Sequence, residues 1–119
     1  MESLLNYYVD ETNILSLINS NSSISMDNDT IRAGVREWHL DEAVCSATYG
    51  HISFWNVSDV TDLTQLFRSA DKFNQPIGSW NTSNVNNMAF MFCECSEFNQ
   101  PIGSWNTSNV IDMAFMFCE

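Results

Sequence analysis

Hydrophobic positions along the chain follow two patterns. Through residue 50 they fall at helical spacing. Leu4, Leu5, Tyr8 and Val9, then Ile14, Leu15, Leu17 and Ile18, predict one or two amphipathic helices broken near residues 10–13. The run Asn19-Ser20-Asn21-Ser22-Ser23 reads as a polar linker. Ile31, Val35 and Trp38, at i, i+4 and i+7, predict a second helix capped by Asp29 or Thr30. A further short helix is expected over residues 41–48, ended by Gly50. Residues 1–50 are therefore expected to form a helical N-terminal cap and lead-in, with a separate docking helix over residues 2–20 as the other reading.

From residue 51 the pattern becomes a repeat. Residues 73–94 read FNQPIGSWNTSNVNNMAFMFCE and residues 98–119 read FNQPIGSWNTSNVIDMAFMFCE; they differ only at Asn86/Ile111 and Asn87/Asp112, so 20 of 22 positions agree at an offset of 25. A more divergent copy, Ile52 to Phe73, precedes them in the same register. Trp55, Trp80 and Trp105 coincide, as do Val60, Val85 and Val110, and Phe67, Phe92 and Phe117. A period of 20 to 50 residues is the signature of stacked repeat units, none of which buries its apolar face alone. Within one unit Val85, Met88, Met91 and Phe92 predict about two helical turns, capped by Ser83 or Asn84. Phe73 to Trp80 predicts a short extended segment, interrupted at Pro76. Asn81-Thr82-Ser83-Asn84 carries turn chemistry. The expected fold class is α/β: a leucine-rich-repeat-like solenoid with a short strand and a short helix per 25-residue coil. It would occupy residues 51–119 as about 2.75 repeats (52–76, 77–101 and 102–119).

Composition narrows the partners. Fifteen Asp and Glu stand against four Lys and Arg, a formal net charge of −11, so the chain cannot neutralise a run of phosphates and nucleic acid is excluded as a partner. Membrane insertion is not expected, since no apolar stretch nears the roughly 18 residues a span needs. Met1-Glu2-Ser3-Leu4-Leu5-Asn6 has neither the basic start of a signal peptide nor an anchor cysteine, so the chain reads as cytoplasmic.

The blocks F-N-Q-x-I-x-x-W-N-x-S-x-V and M-x-x-M-F, with the lead-in Ile31 to Trp38 and Tyr49-Gly50-His51-Ile52, resemble the BspA-like leucine-rich-repeat family. The likeness is greater to its 25-residue branch, first noted in mycoplasma surface lipoproteins. It spans residues 31–119. It implies adhesion or protein–protein contact, often at the cell surface, without catalysis.

Candidate chemistry is sparse. Cys93, Cys95 and Cys118, with Cys45, His39 or His51 as a fourth ligand, would suit zinc, but C-x-C is not a metal knuckle and the position simply recurs. We read all four cysteines as reduced, buried thiols and expect no metal and no cofactor; a Cys93–Cys118 bridge would need an oxidising compartment. No nucleophile motif or glycine-rich phosphate loop is present, and no catalytic residue is assigned. The sequons at Asn21, Asn28, Asn56, Asn81 and Asn106 are read as turn residues rather than glycosylation sites. The tryptophans are read as a core ladder rather than a sugar-binding row.

Two functions remain. In the first, a non-enzymatic module binds a protein partner through the strand face at Asn74, Gln75, Ser79, Asn99, Gln100 and Ser104, although stacked Asn side chains could equally hold the coils together. In the second, the chain is structural, or a truncated fragment, and self-associates through Phe115, Met116 and Phe117 at an uncovered end.

Overall fold

An aspartate starts each of the two helices that follow the linker. A computed structural model describes residues 24–119. Helix α1 (Asn28–Leu40) follows Asp27, whose carboxylate accepts the N–H groups of Asp29 and Thr30 while Thr30 Oγ1 accepts the N–H of Asp27 at 2.7 Å. The cap thus lies ahead of the expected Asp29 or Thr30, because only a residue preceding the first turn can reach the free N–H groups within it. Ile31, Val35 and Trp38 form the buried face as the spacing predicts. Asp41 ends α1 and caps helix α2 (Glu42–Tyr49) by accepting the Val44 N–H; Gly50, at φ 79°, closes it. The Cys45 thiol donates to the Gly34 carbonyl at 3.4 Å and ties α2 to α1. The helices expected at residues 4–18, the docking helix and the linker at 19–23 lie outside the described residues.

The α/β solenoid of strand-and-helix units does not form. Regular structure among the described residues consists of α1, α2 and a single 3-10 turn at Ile52–Phe54; there is no strand, and only isolated parallel bridges such as Asp62–Asn87 and Asn87–Asp112. The segment from Val85 to Phe92 holds a bridge residue at Asn87 and turns from Ala89 onward, and Phe73 to Trp80 is irregular rather than extended into a strand. Hydrogen bonding at the equivalent positions of the first repeat explains the missing helix. The N–H groups of Leu66, Arg68 and Ala70 fold back to the carbonyls of Leu63, Gln65 and Phe67, three residues earlier. Those of Leu63, Gln65, Phe67 and Ser69, interleaved with them, reach forward to Asn87, Ala89, Met91 and Cys93 at 2.8–2.9 Å. A helix would bond every N–H four residues back, and a strand would leave no local bonds. This alternation requires left-handed backbone at Gln65, Ser69, Phe90, Glu94 and Phe115, two positions that recur 25 residues apart.

The next pair of repeats copies the arrangement. Met88, Phe90, Phe92 and Glu94 donate to the carbonyls of Asp112, Ala114, Met116 and Cys118 at 2.7–3.0 Å. Like side chains consequently stack on like. Trp55, Trp80 and Trp105 lie 6.5 Å apart and nearly parallel, buried as the expected core ladder, and Phe67, Phe92 and Phe117 stack at 5.7 and 5.4 Å. Each indole N–H finds a carbonyl: Trp80 donates to Ile52 at 2.9 Å and Trp105 to Ile77 at 3.0 Å, each bonding the preceding repeat. Thr82, 1% exposed, donates to the Asn106 carbonyl. Cys93 and Cys118 are disulfide-bonded with Cα atoms 4.4 Å apart, which corrects the reading of four reduced thiols; Cys45 and Cys95 remain free and buried.

Helix α1 closes the first repeat by imitating a missing one. Where Asn86 N–H bonds the Thr61 carbonyl, Thr61 N–H bonds Asn28 Oδ1 at 2.9 Å. Where the carbonyls of Asn87 and Ala89 accept backbone N–H groups, the equivalent carbonyls of Asp62 and Thr64 accept the Arg32 guanidinium at 3.1 and 2.7 Å. The accompanying Arg32–Asp62 ion pair, at 3.5 Å and partly exposed, adds little. Arg32→Met keeps most of the apolar stem and leaves two carbonyls unpaired, so it is expected to lower unfolding free energy by about 1–3 kcal/mol in urea titrations. A loss no larger than that of an exposed control such as Arg36→Met would show that the guanidinium does not act as the cap.

Gly78 and Gly103 occupy the same position one repeat apart. A Cβ on Gly78 would meet the Pro101 carbonyl oxygen at 2.4 Å, whereas nothing lies within 4 Å of one on Gly103. Gly78→Ala is therefore expected to destabilise by about 1–3 kcal/mol. Gly103→Ala should be neutral or stabilising by roughly 0.5 kcal/mol. Equal thermal shifts for the two would refute this packing. Opening the Cys93–Cys118 bridge with Cys93→Ser/Cys118→Ser should cost about 3 kcal/mol by the loop-closure argument, read from urea midpoints without reductant.

Candidate interaction face

The six residues expected to form a binding face divide among three environments. Asn74 Oδ1 accepts the Asn99 N–H at 2.8 Å and Gln100 Nε2 at 3.1 Å. Ser79 donates to the Ser53 carbonyl and Ser104 to the Gly78 carbonyl, at 3.1 and 3.0 Å. Asn74, Gln100, Ser79 and Ser104 thus join successive repeats, the alternative weighed for the Asn-Gln pairs. Asn99 takes the place of Asn74 one repeat later. Gln75 lies elsewhere, on the wall of a cleft of about 410 Å³ that also includes Trp38, His39, Asp41, Asp71 and Lys72. In that cleft burial lowers the His39 pKa, partly offset by Glu42.

The recurring Asn residues serve turns. Asn56, Asn81 and Asn106 each accept the N–H two residues ahead, from Ser58, Ser83 and Ser108, at 3.0–3.1 Å. Asn84 and Asn109 donate to the carbonyls of Ser58 and Ser83 at 2.7 and 2.6 Å, again linking repeats. Repetition of polar residues here follows from stacking. Burial raises the thiol pKa of Cys45 and of Cys95 to about 11, with Glu37 and Asp71 adding to the respective shifts, so both are protonated at neutral pH and poor nucleophiles.

Sequence reasoning missed an apolar groove of about 400 Å³ walled by Ser53, Phe54, Pro76, Gly78, Ser79 and Pro101. Phe54, 61% exposed, stands at the position filled by Ser79 and Ser104 in the later repeats. That departure was visible in the alignment: a large aromatic replaces a serine where stacking requires no bulk. His51, which Pro76 and Pro101 replace in turn, accepts the Ser53 N–H through Nδ1 and packs edge-on against Trp38 at 5.1 Å.

The expected self-association patch is also redrawn. Phe115 and Phe117 are exposed at 66% and 60%, stacked on Phe90 and Phe92, but Met116 is buried and points inward. Its neighbours on the open side are instead Ile111 and Met113, 88% and 44% exposed. Alternate residues face the end because alternate N–H groups do.

Among the described residues no helix is long and apolar enough to cross a membrane, and no group of three or more His, Cys, Asp or Glu is placed to hold a metal ion. No curated protein and no solved structure matches the chain. A family model described as "Mycoplasma protein of unknown function, DUF285" matches residues 39–119, which comprise α2, the 3-10 turn and all three repeats. The chain belongs to that family.

Proposed function

We propose that this chain is a non-enzymatic interaction module that binds a protein partner through the face bearing Phe54, Pro76, Ser79 and Pro101. The observation that carries the reading is the apolar groove beneath an aromatic side chain that the repeat does not require. A few well-packed anchor residues, aromatic ones prominent among them, carry most of the affinity in protein contacts. Asn99, Gln100 and Ser104, close to Pro101 in sequence, supply the polar groups beside this face, and the net charge of −11 favours a partner with a basic surface. The resemblance to BspA-like adhesion proteins supports the same class of role, without the strand face on which that resemblance first placed it.

Because Phe54 and Pro76 are exposed, Phe54→Ser/Pro76→Ser should leave the thermal midpoint within a few degrees of wild type. In affinity capture from its source cells, that variant is expected to lose a protein retained by wild type. Asn99→Ala should retain it. Loss on Asn99→Ala alone would move the site to the polar border, and retention by both variants would rule out this face.

A further inference from the structure

All three arginines of the chain line one pocket. With fifteen Asp and Glu against Arg32, Arg36, Arg68 and Lys72, each cation is expected beside a carboxylate. Among the described residues, however, the one ion pair is Arg32–Asp62 at 3.5 Å. Arg36 and Arg68 instead join Arg32, with His39 and Gln65, on the wall of a cavity of about 250 Å³ between α1 and the first repeat. None of the described Asp or Glu residues lines it.

Two elements bring these groups together. Arg32, Arg36 and His39 follow at i, i+4 and i+7 along α1, which sets them on one helix face. Gln65 and Arg68 come from the first repeat, and both break the period. Phe90 and Phe115 take the place of Gln65 in the later repeats, and Cys93 and Cys118 that of Arg68. Stacking therefore asks for neither side chain. The Arg68 guanidinium lies 5.0 Å from the centre of the Phe90 ring, a contact that steadies it without neutralising its charge. Arg32 donates one N–H from each terminal nitrogen to a carbonyl, at 2.7 and 3.1 Å, and a guanidinium has five. Val35 and Leu66, both buried, line the same cavity, and apolar surface beside charged groups strengthens their pull on an anion.

We infer that this pocket binds a single phosphomonoester group. Gathering three guanidiniums with no carboxylate on the wall costs Coulomb energy, which a bound anion relieves. A phosphomonoester carries a charge of about −1.5 to −2 and three terminal oxygens, enough for three guanidinium forks. A carboxylate has one charge and two oxygens and would leave a guanidinium unmatched. Gln65 and His39 add neutral N–H donors. A run of phosphates remains excluded, since beyond this pocket it would meet a chain of net charge −11. The pocket shares no residue with the groove at Phe54, so the inference stands or falls apart from the protein-binding reading.

Inorganic phosphate is the first probe, titrated into the full chain by isothermal calorimetry at low ionic strength. Saturable one-to-one binding is expected. Arg36→Gln and Arg68→Gln should each weaken it by roughly tenfold or more, with Arg36→Lys in between. Lys72→Gln removes the same charge outside the pocket and should weaken it by less than about threefold. Arg36 and Arg68 are exposed, so the variants should match the wild-type circular dichroism. A phosphoserine pentapeptide and glycerol phosphate then separate the sources. Tighter binding of the peptide would support the site and assign the phosphate to a protein side chain; tighter binding of glycerol phosphate would support it and assign a small molecule. No saturable binding of any of the three probes, binding unchanged by Arg36→Gln and Arg68→Gln, or an equal loss in Lys72→Gln would each overturn the inference.

Discussion

The constraint on which this fold depends is the backbone bond from an N–H to a carbonyl 24 residues later. It alternates with turn bonds that reach three residues back, so each residue over 63–70 serves either its own repeat or the next. Register follows directly. A slip of one residue would exchange the two classes of N–H and turn Leu63, Phe67, Met88 and Phe92 away from their stacks. Left-handed backbone at Gln65, Ser69, Phe90, Glu94 and Phe115 is needed to maintain the alternation, and each such residue costs roughly 1–2 kcal/mol. Burial of aromatic stacks on both sides of each repeat offsets that strain.

In-register stacking also accounts for the positions that all the repeats share, such as the tryptophans. Trp80 stacks 6.5 Å from Trp105, and Asn84 reaches the Ser58 carbonyl just as Asn109 reaches that of Ser83. The disulfide obeys the same rule: Cys93 and Cys118 are equivalent positions on adjacent repeats, which brings their Cα atoms to 4.4 Å. One repeat earlier the position is Arg68, whose guanidinium instead lies 5.0 Å from the centre of the Phe90 ring. The first repeat has no equivalent before it, so α1 supplies one donor set and one acceptor from side chains.

Much of this was legible in the sequence. The helices at residues 28–50 and their buried face follow from period 3.6 spacing and from Gly50, and the tryptophan ladder follows from the offset of 25. What failed was the reading of Val85, Met88 and Met91 as helix. A spacing of three is shared by a helical face and by successive turns closed between residues i and i−3, as Met91 N–H to Met88 carbonyl illustrates. Periodicity alone cannot separate them, because it records where side chains point and says nothing of where the N–H groups go. The Asp27 cap was missed because Asp27, Asp29 and Thr30 are all competent caps, and only the start of the apolar face distinguishes them. The groove at Phe54 lies where the period breaks, so the recurring positions do not mark it.

Recurrence in a stacked repeat constrains function. A residue that recurs in a stacked repeat is already constrained by its neighbours one period away: Asn74, Ser79, Gln100 and Ser104 all hold adjacent repeats together. Their repetition is explained without a ligand. A residue that breaks the period on the surface carries no such obligation, and its side chain is free to serve something outside the chain. Phe54, where the later repeats carry serine, is of this kind. Ile111 and Asp112, which replace Asn86 and Asn87, are the only two departures between residues 73–94 and 98–119. Asp112 keeps the role of Asn87, accepting the Ala114 N–H at 2.9 Å as Asn87 accepts that of Ala89. Ile111 instead puts an aliphatic side chain, 88% exposed, where the covered repeat has an amide. An amide there favours water, whereas an isoleucine favours an apolar neighbour.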